Sequence, residues 1–152
     1  MNRLAVGVLD TSALLAALGG EASAPAFLEG FSRCDRLVIG DAALAESFIV
    51  VRARKGAAGV ALMDEFLVAL HATACPTDVR QMAYFRRGFE RYGKGMHPAG
   101  LNFGDLFSYA LAMALDAPLY FQGRDFSQTD VAGAMTTLGY AHSAAGEPLA
   151  RK

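Results

Sequence analysis

Residues 4–16 read L-A-V-G-V-L-D-T-S-A-L-L-A, and the break at Asp10 decides the fold class. Leu4 to Leu9 is a short apolar run with valines at positions 6 and 8, the pattern of a buried strand. It stops at the polar Asp10-Thr11-Ser12, after which alanine and leucine predominate. The stretch therefore reads as strand, polar turn, helix, and the turn places Asp10 at the carboxyl end of the strand.

The same alternation continues outward. Gly19-Gly20 ends the first helix, and Phe27, Leu28 and Phe31 lie at helical spacing within 24–33. Leu37 to Ile39 reads as a second buried strand, followed by Asp41 as the expected N-cap of a helix that carries Glu46 and stops at Gly56. A further helix is expected from about Val60 to His71, then a short strand from Thr73 to Cys75. Thr77 or Asp78 caps a helix bearing Arg80, Arg86, Arg87 and Arg91, and Asn102 caps the next, Phe103 to Leu115, with Asp105 in its first turn. Leu119 to Phe121 is a last strand, followed by a polar loop from Gln122 to Asp130. Strands alternating with helices imply an α/β fold, a mainly parallel sheet covered on both faces, with ligands at the carboxyl ends of the strands.

Composition agrees with one packed unit. The 152 residues are 53% hydrophobic and 19% charged, enough to bury a single core without disulfides or structural metals. We expect a single domain over 1–140 and a flexible C-terminal tail over 141–152. Cys34 and Cys75 match no metal-ligand spacing and read as buried thiols. Asp10 interrupts the first apolar run before it reaches signal-peptide length, and no segment has the roughly 20 apolar residues of a membrane span, so a cytoplasmic location without membrane attachment is expected. The net charge of −1 offers no general attraction to nucleic acid, so any attraction to phosphate must come from local groups such as Arg86, Arg87 and Arg91.

The candidate chemistry lies in Asp10, Glu46, Asp105 and Asp125. Mg²⁺ and Mn²⁺ take oxygen ligands, and a site that cuts a phosphodiester needs several carboxylates that only a metal makes tolerable together. Each residue also has an ordinary reading: Asp10 in an Asx turn, Asp105 as a first-turn carboxylate, Asp125 as a loop cap, Glu46 on a solvated helix face. Thr11 and Ser12 are candidates to support a ligand carboxylate or phosphate, and Ser127, Gln128, Thr129 and Asp130 offer polar groups near the same edge.

Four stretches carry a family likeness: V-L-D-T-S-A-L-L-A at 8–16, A-L-A-E-S at 43–47, H-P-A-G-L-N-F-G-D-L-F-S-Y-A-L-A at 97–112 and P-L-Y-F-Q-G-R-D-F-S-Q-T-D-V at 118–131. In this order they resemble the PIN-domain ribonucleases, specifically the VapC-type toxins of bacterial toxin–antitoxin pairs. The resemblance implies a three-layer α/β/α sandwich, Mg²⁺- or Mn²⁺-dependent endoribonuclease activity on an RNA substrate, homodimerisation, and inhibition by a cognate antitoxin. It implies that Asp10, Glu46, Asp105 and Asp125 are the catalytic acids, with Asp10 and Asp105 as direct metal ligands. Arg124 departs from the pattern, since similar proteins often carry an acid or amide before the matching aspartate; a cation there would weaken metal binding or contact phosphate. Ala132 to Lys152 extends past the point where many relatives end.

Two other readings compete. A catalytically inert PIN-fold binding protein would keep the scaffold and the partner, with Arg124 as its motive. A metal-dependent phosphatase or phosphotransfer domain would also place an aspartate after the first strand, but Ser12 stands where the D-x-D pattern needs its second acid and no lysine follows the later strands as in a receiver domain; a nucleotide-binding role lacks a glycine-rich phosphate loop.

Overall fold

A computed structural model describes residues 2–151. The elements in chain order are β1 (Leu4–Leu9), α1 (Thr11–Leu18), α2 (Ala24–Ser32), β2 (Cys34–Gly40), α3 (Asp41–Ala69), β3 (Thr73–Cys75), α4 (Val79–Tyr92), α5 (Phe103–Leu115), β4 (Leu119–Tyr120) and α6 (Ala134–Thr137). The strands form one parallel sheet in the order β3-β2-β1-β4.

Alternation along the strands explains the three layers, because successive side chains of a strand point to opposite faces. Leu9, Leu37, Ile39 and Tyr120 join one core with residues of α1, α2, α3 and α6. Val8, Val38 and Leu119, one position away in each strand, join a second core with Leu106, Tyr109 and Leu111 of α5. The sheet is thus covered on both faces. From β1 the chain builds β2 and β3 on one side, then crosses to place β4 on the other. The order reverses at β1, and the carboxyl ends of β1 and β4 beside that reversal are where a parallel α/β sheet takes its ligands.

Local chemistry sets the boundaries. Asp10 caps α1 by accepting from the Ser12 N–H, Asp78 caps α4 by accepting from the Gln81 N–H, and Asn102 with Asp105 forms a reciprocal capping box on α5. Gly40, rather than Asp41, is the N-cap of α3; the Asp41 carboxylate instead accepts from the Thr77 N–H and hydroxyl, tying the start of α3 to the β3–α4 connection. The two helices expected on either side of Gly56 form one kinked α3, because Gly56 takes φ 69° and ψ −165°, open to glycine at little cost.

A further expectation is corrected. Cys34 and Cys75 are half-buried rather than buried, one opening β2 and the other ending the edge strand β3. The stretch expected as a flexible tail is placed through Arg151 as a turn folded back on the domain. Leu149 N–H donates to Ala141 O, His142 pairs antiparallel with Pro148, and the Arg151 guanidinium donates to Leu138 O while lying over the Tyr140 ring at 4.4 Å.

Candidate active site

Asp10 follows β1 at the carboxyl end of the strand and is buried. Its Oδ2 accepts from Ser12 N at 3.0 Å and from Ser12 Oγ at 2.5 Å. Ser12 Oγ in turn accepts from Gln122 N at 3.0 Å, so one hydroxyl joins the end of β1 to the root of the loop after β4. Loss of hydration raises the Asp10 carboxyl above the ordinary aspartate value; hydroxyls of Ser108 and Ser12 oppose that rise, and the nearby Glu46 charge adds to it.

Glu46 reaches the same place from α3. Ser47, next in sequence and fully buried, donates to Ala43 O at 2.7 Å, the same carbonyl that accepts from Thr11 Oγ1 at 3.2 Å. These hydroxyls seat the first turns of α3 against α1. Glu46 then approaches α5 so closely that a Cβ on Gly104 would stand 2.5 Å from its Oε2. Only glycine at 104 leaves room for the carboxylate in this position.

Asp105 follows Gly104 in the first turn of α5, where its Oδ2 accepts from Asn102 N at 3.1 Å. Its pKa is pushed up to about 7, first by loss of hydration and then by the charges of Asp10, Asp125 and Glu46, against the lowering effect of the Asn102 N–H. Asp125 lies exposed on the loop after β4, near enough for its charge to act on Asp105. The four carboxylates therefore share one electrostatic neighbourhood built from β1, α3, α5 and the loop after β4.

The donor chemistry suits a hard divalent cation, being all oxygen and strongly anionic, and Ser108 Oγ is buried beside Asp10 without a well-formed hydrogen bond. Among the described residues, no three His, Cys, Asp or Glu side chains close around a single point. Asp10 instead accepts from Ser12 and Asp105 from the Asn102 N–H, while Glu46 is exposed with its carboxylate beside Gly104. Closing them on one ion takes side-chain rotation and a cation to offset the repulsion.

The remaining candidates divide by position. Thr11 and Ser12 bind protein groups directly at the site. Arg124 is exposed beside Asp125. Arg86 and Arg87 are exposed on α4, Arg87 lying over the Tyr84 ring at 5.0 Å. Asp130 accepts from Tyr109 OH at 2.7 Å and pairs with Arg91 at 3.5 Å, fixing the end of the loop to α4 and α5. Ser47, Ser108, Gly104 and Gln122 were not singled out from the sequence. All four fall within stretches that carried the family likeness, but as small or amide residues they show no chemistry until the fold sets them beside an acid.

Residues 7–132 match the model of the PIN domain family. The chain is 42% identical over 126 residues to Ribonuclease VapC of Mycolicibacterium smegmatis, covering 82% of this chain and 97% of that one. It is 41% identical over 128 residues to Ribonuclease VapC30 of Mycobacterium tuberculosis, covering 82% and 95% respectively. Among solved structures, VapBC2 from Rickettsia felis bound to a DNA fragment from its promoter superposes with TM-score 0.66 at 20% identity, covering 84% of this chain and 96% of that chain. Mycobacterium tuberculosis VapC20, a toxin that cleaves the sarcin–ricin loop, also gives 0.66, at 17% identity over 82% and 95%. These two structural likenesses establish the shared fold.

Proposed function

The chain belongs to the PIN-domain family, and from that premise we propose that it is an RNA-cleaving hydrolase, a divalent-metal-dependent endoribonuclease acting as the toxin of a toxin–antitoxin pair. The observation that carries this reading is the gathering of Asp10, Glu46, Asp105 and Asp125 at the end of β1, close enough for the other three charges to add to the rise that burial imposes on the Asp105 carboxyl. The relatives named ribonuclease support RNA as substrate, and the VapBC2 assembly of Rickettsia felis supports an antitoxin partner. A homodimer and a cytoplasmic location complete the reading on family grounds. Among the described residues, no helix is long and apolar enough to cross a membrane.

In this reading Asp10 and Asp105 hold Mg²⁺ or Mn²⁺, with Glu46 and Asp125 completing the site or orienting the attacking water. When bound, the ion offsets the phosphodiester charge and makes water a better nucleophile at neutral pH. Ser12 and Thr11 keep Asp10 and α3 in place, so that the acids are aimed before RNA arrives. Arg86 and Arg87 contact backbone phosphates, which supplies affinity without sequence information, and Arg124 meets a phosphate beside Asp125.

The test is incubation of antitoxin-free protein with total RNA in Mg²⁺ or Mn²⁺, with EDTA and Asp10→Ala as controls. Discrete cleavage lost in both controls is the expected outcome. Equal cleavage by Asp10→Ala refutes the site, and a wild-type chain that binds Mn²⁺ but cuts no RNA favours the inert binding protein.

A further inference from the structure

The loop carrying Asp125 is tied at its far end by Asp130 and, around Asp125 itself, is held at three places. At its root, Gln122 N donates to Ser12 Oγ at 3.0 Å, and the Gln122 side-chain oxygen accepts from the Ser23 hydroxyl. Beyond Asp125, Phe126 is buried in the second core. Between them the support comes from the far end of the chain: Gly123 N donates to Gly146 O at 3.0 Å. The two backbones approach so closely that a Cβ on Gly146 would stand 2.3 Å from Gly123 O, and Gly146 takes φ +80°.

Gly146 is itself fixed within a small turn. Its N–H donates to Ser143 O at 3.0 Å, Ser143 N donates to Glu147 O at 2.9 Å, and Ser143 Oγ accepts from Glu147 N at 3.2 Å. Buried Pro148, the His142–Pro148 pairing and the contact of Arg151 with Tyr140 anchor the turn to the domain. This stretch lies beyond residue 132, where the match to the family model ends. Its backbone contact falls two residues before Asp125.

We propose that the turn 143–147 is a positioning clamp for Asp125, acting through Gly146 on Gly123 to fix the one acid that stands on a loop. This rests on the reading of Asp125 as part of the nuclease site. The other three acids stand on a strand end or a helix, where the backbone is already rigid. A carboxylate on a loop contributes to a metal site only as far as the loop is fixed, so the clamp sets metal affinity without touching metal or RNA.

The experiment compares the full-length chain with Gly146→Ala, and with Ser143→Ala as a milder variant that loosens the same turn should the first fold poorly. Metal-free amide exchange at Gly123, Mn²⁺ binding by calorimetry and thermal midpoint are read for each, alone and in an Asp125→Asn background. Loss of the clamp should speed exchange of the Gly123 amide and weaken Mn²⁺ binding about tenfold, as removal of groups that orient metal ligands does. In the Asp125→Asn background the same change should leave Mn²⁺ affinity unaltered, because there is no longer a carboxylate to place. Unchanged Gly123 exchange, unchanged Mn²⁺ affinity, or an equal loss of affinity in the Asp125→Asn background each overturn the clamp. A wild-type chain that binds no Mn²⁺ instead sinks the nuclease reading, and the Gly123 exchange then decides by itself whether the turn holds the loop.

Discussion

Replacing Asp105 by Asn should stabilise the metal-free protein at neutral to alkaline pH and leave it almost unchanged in acid. The folded carboxyl titrates at about 7 against an ordinary value of 3.8, chiefly because it loses hydration in the first turn of α5 among three other acids. Below 3.8 both folded and unfolded chains hold the proton; as pH rises, the unfolded chain releases it first and the folded one follows only near 7. The stability contributed by protonated Asp105 is therefore complete in acid and lost as pH climbs to about 7. At about 1.4 kcal/mol per pH unit the loss is at most about 4 kcal/mol, and solvent access to this half-buried group reduces it to about 2 kcal/mol. Asn keeps an oxygen that can accept from the Asn102 N–H, so the capping box need not be lost. Urea unfolding in EDTA at about pH 4 and about pH 8 checks this directly. A gain in stability that is the same at both pH values, or a loss at the higher one, refutes the argument. Adding Mn²⁺ at the higher pH should reverse the ranking, stabilising the wild type and not the variant.

Gly104→Ala should fold at least as well as the wild type, since alanine is favoured in a helix by up to about 1 kcal/mol. Its methyl group, however, would displace the Glu46 carboxylate and lower RNA cleavage about tenfold or more; wild-type activity at an unchanged thermal midpoint would show that Glu46 need not stand there. Gly88→Ala would place a Cβ 2.7 Å from the ring of fully buried Tyr109, between α4 and α5. We expect about 1–2 kcal/mol of destabilisation, a fall of about 2–8 °C by calorimetry. Tyr109→Phe removes the 2.7 Å hydrogen bond to Asp130. It should cost about 1 kcal/mol in urea unfolding with little change in cleavage, and a large loss of cleavage would give Asp130 a direct part in the chemistry.

The layered fold was legible because its strands are too apolar to be anything but buried and its helices are punctuated by side chains that cap them. Asp78 and Asn102 cap helices as their positions suggest. The sequence was less informative where backbone geometry and distant contacts decide. Gly56 reads as a helix stop, yet the chain resumes helical structure after one left-handed residue, so the stop is a kink. The end of the chain reads as a loose tail because it is short, polar and rich in small residues. Its placement depends on single bonds from Gly146 to Gly123 and from Arg151 to Leu138, between residues that carry no pattern.

The acids were visible one by one, but their mutual effect was not. Nothing in the spacing of Asp10, Glu46, Asp105 and Asp125 fixes a distance between them; the reversal of strand order at β1 does, by bringing the helix after β2 and the loop after β4 to the same end of the sheet. Once gathered, their charges add to the rise that loss of hydration imposes on the Asp105 carboxyl, which reaches about 7. The residues that make this tolerable are small and chemically quiet: Ser12 bridging Asp10 to Gln122, Ser47 seating α3, Gly104 making room for Glu46. A cation that binds the ionised carboxylates offsets the cost of keeping them charged and out of water, so the Asp105→Asn comparison in EDTA and in Mn²⁺ probes stability and metal binding with one substitution.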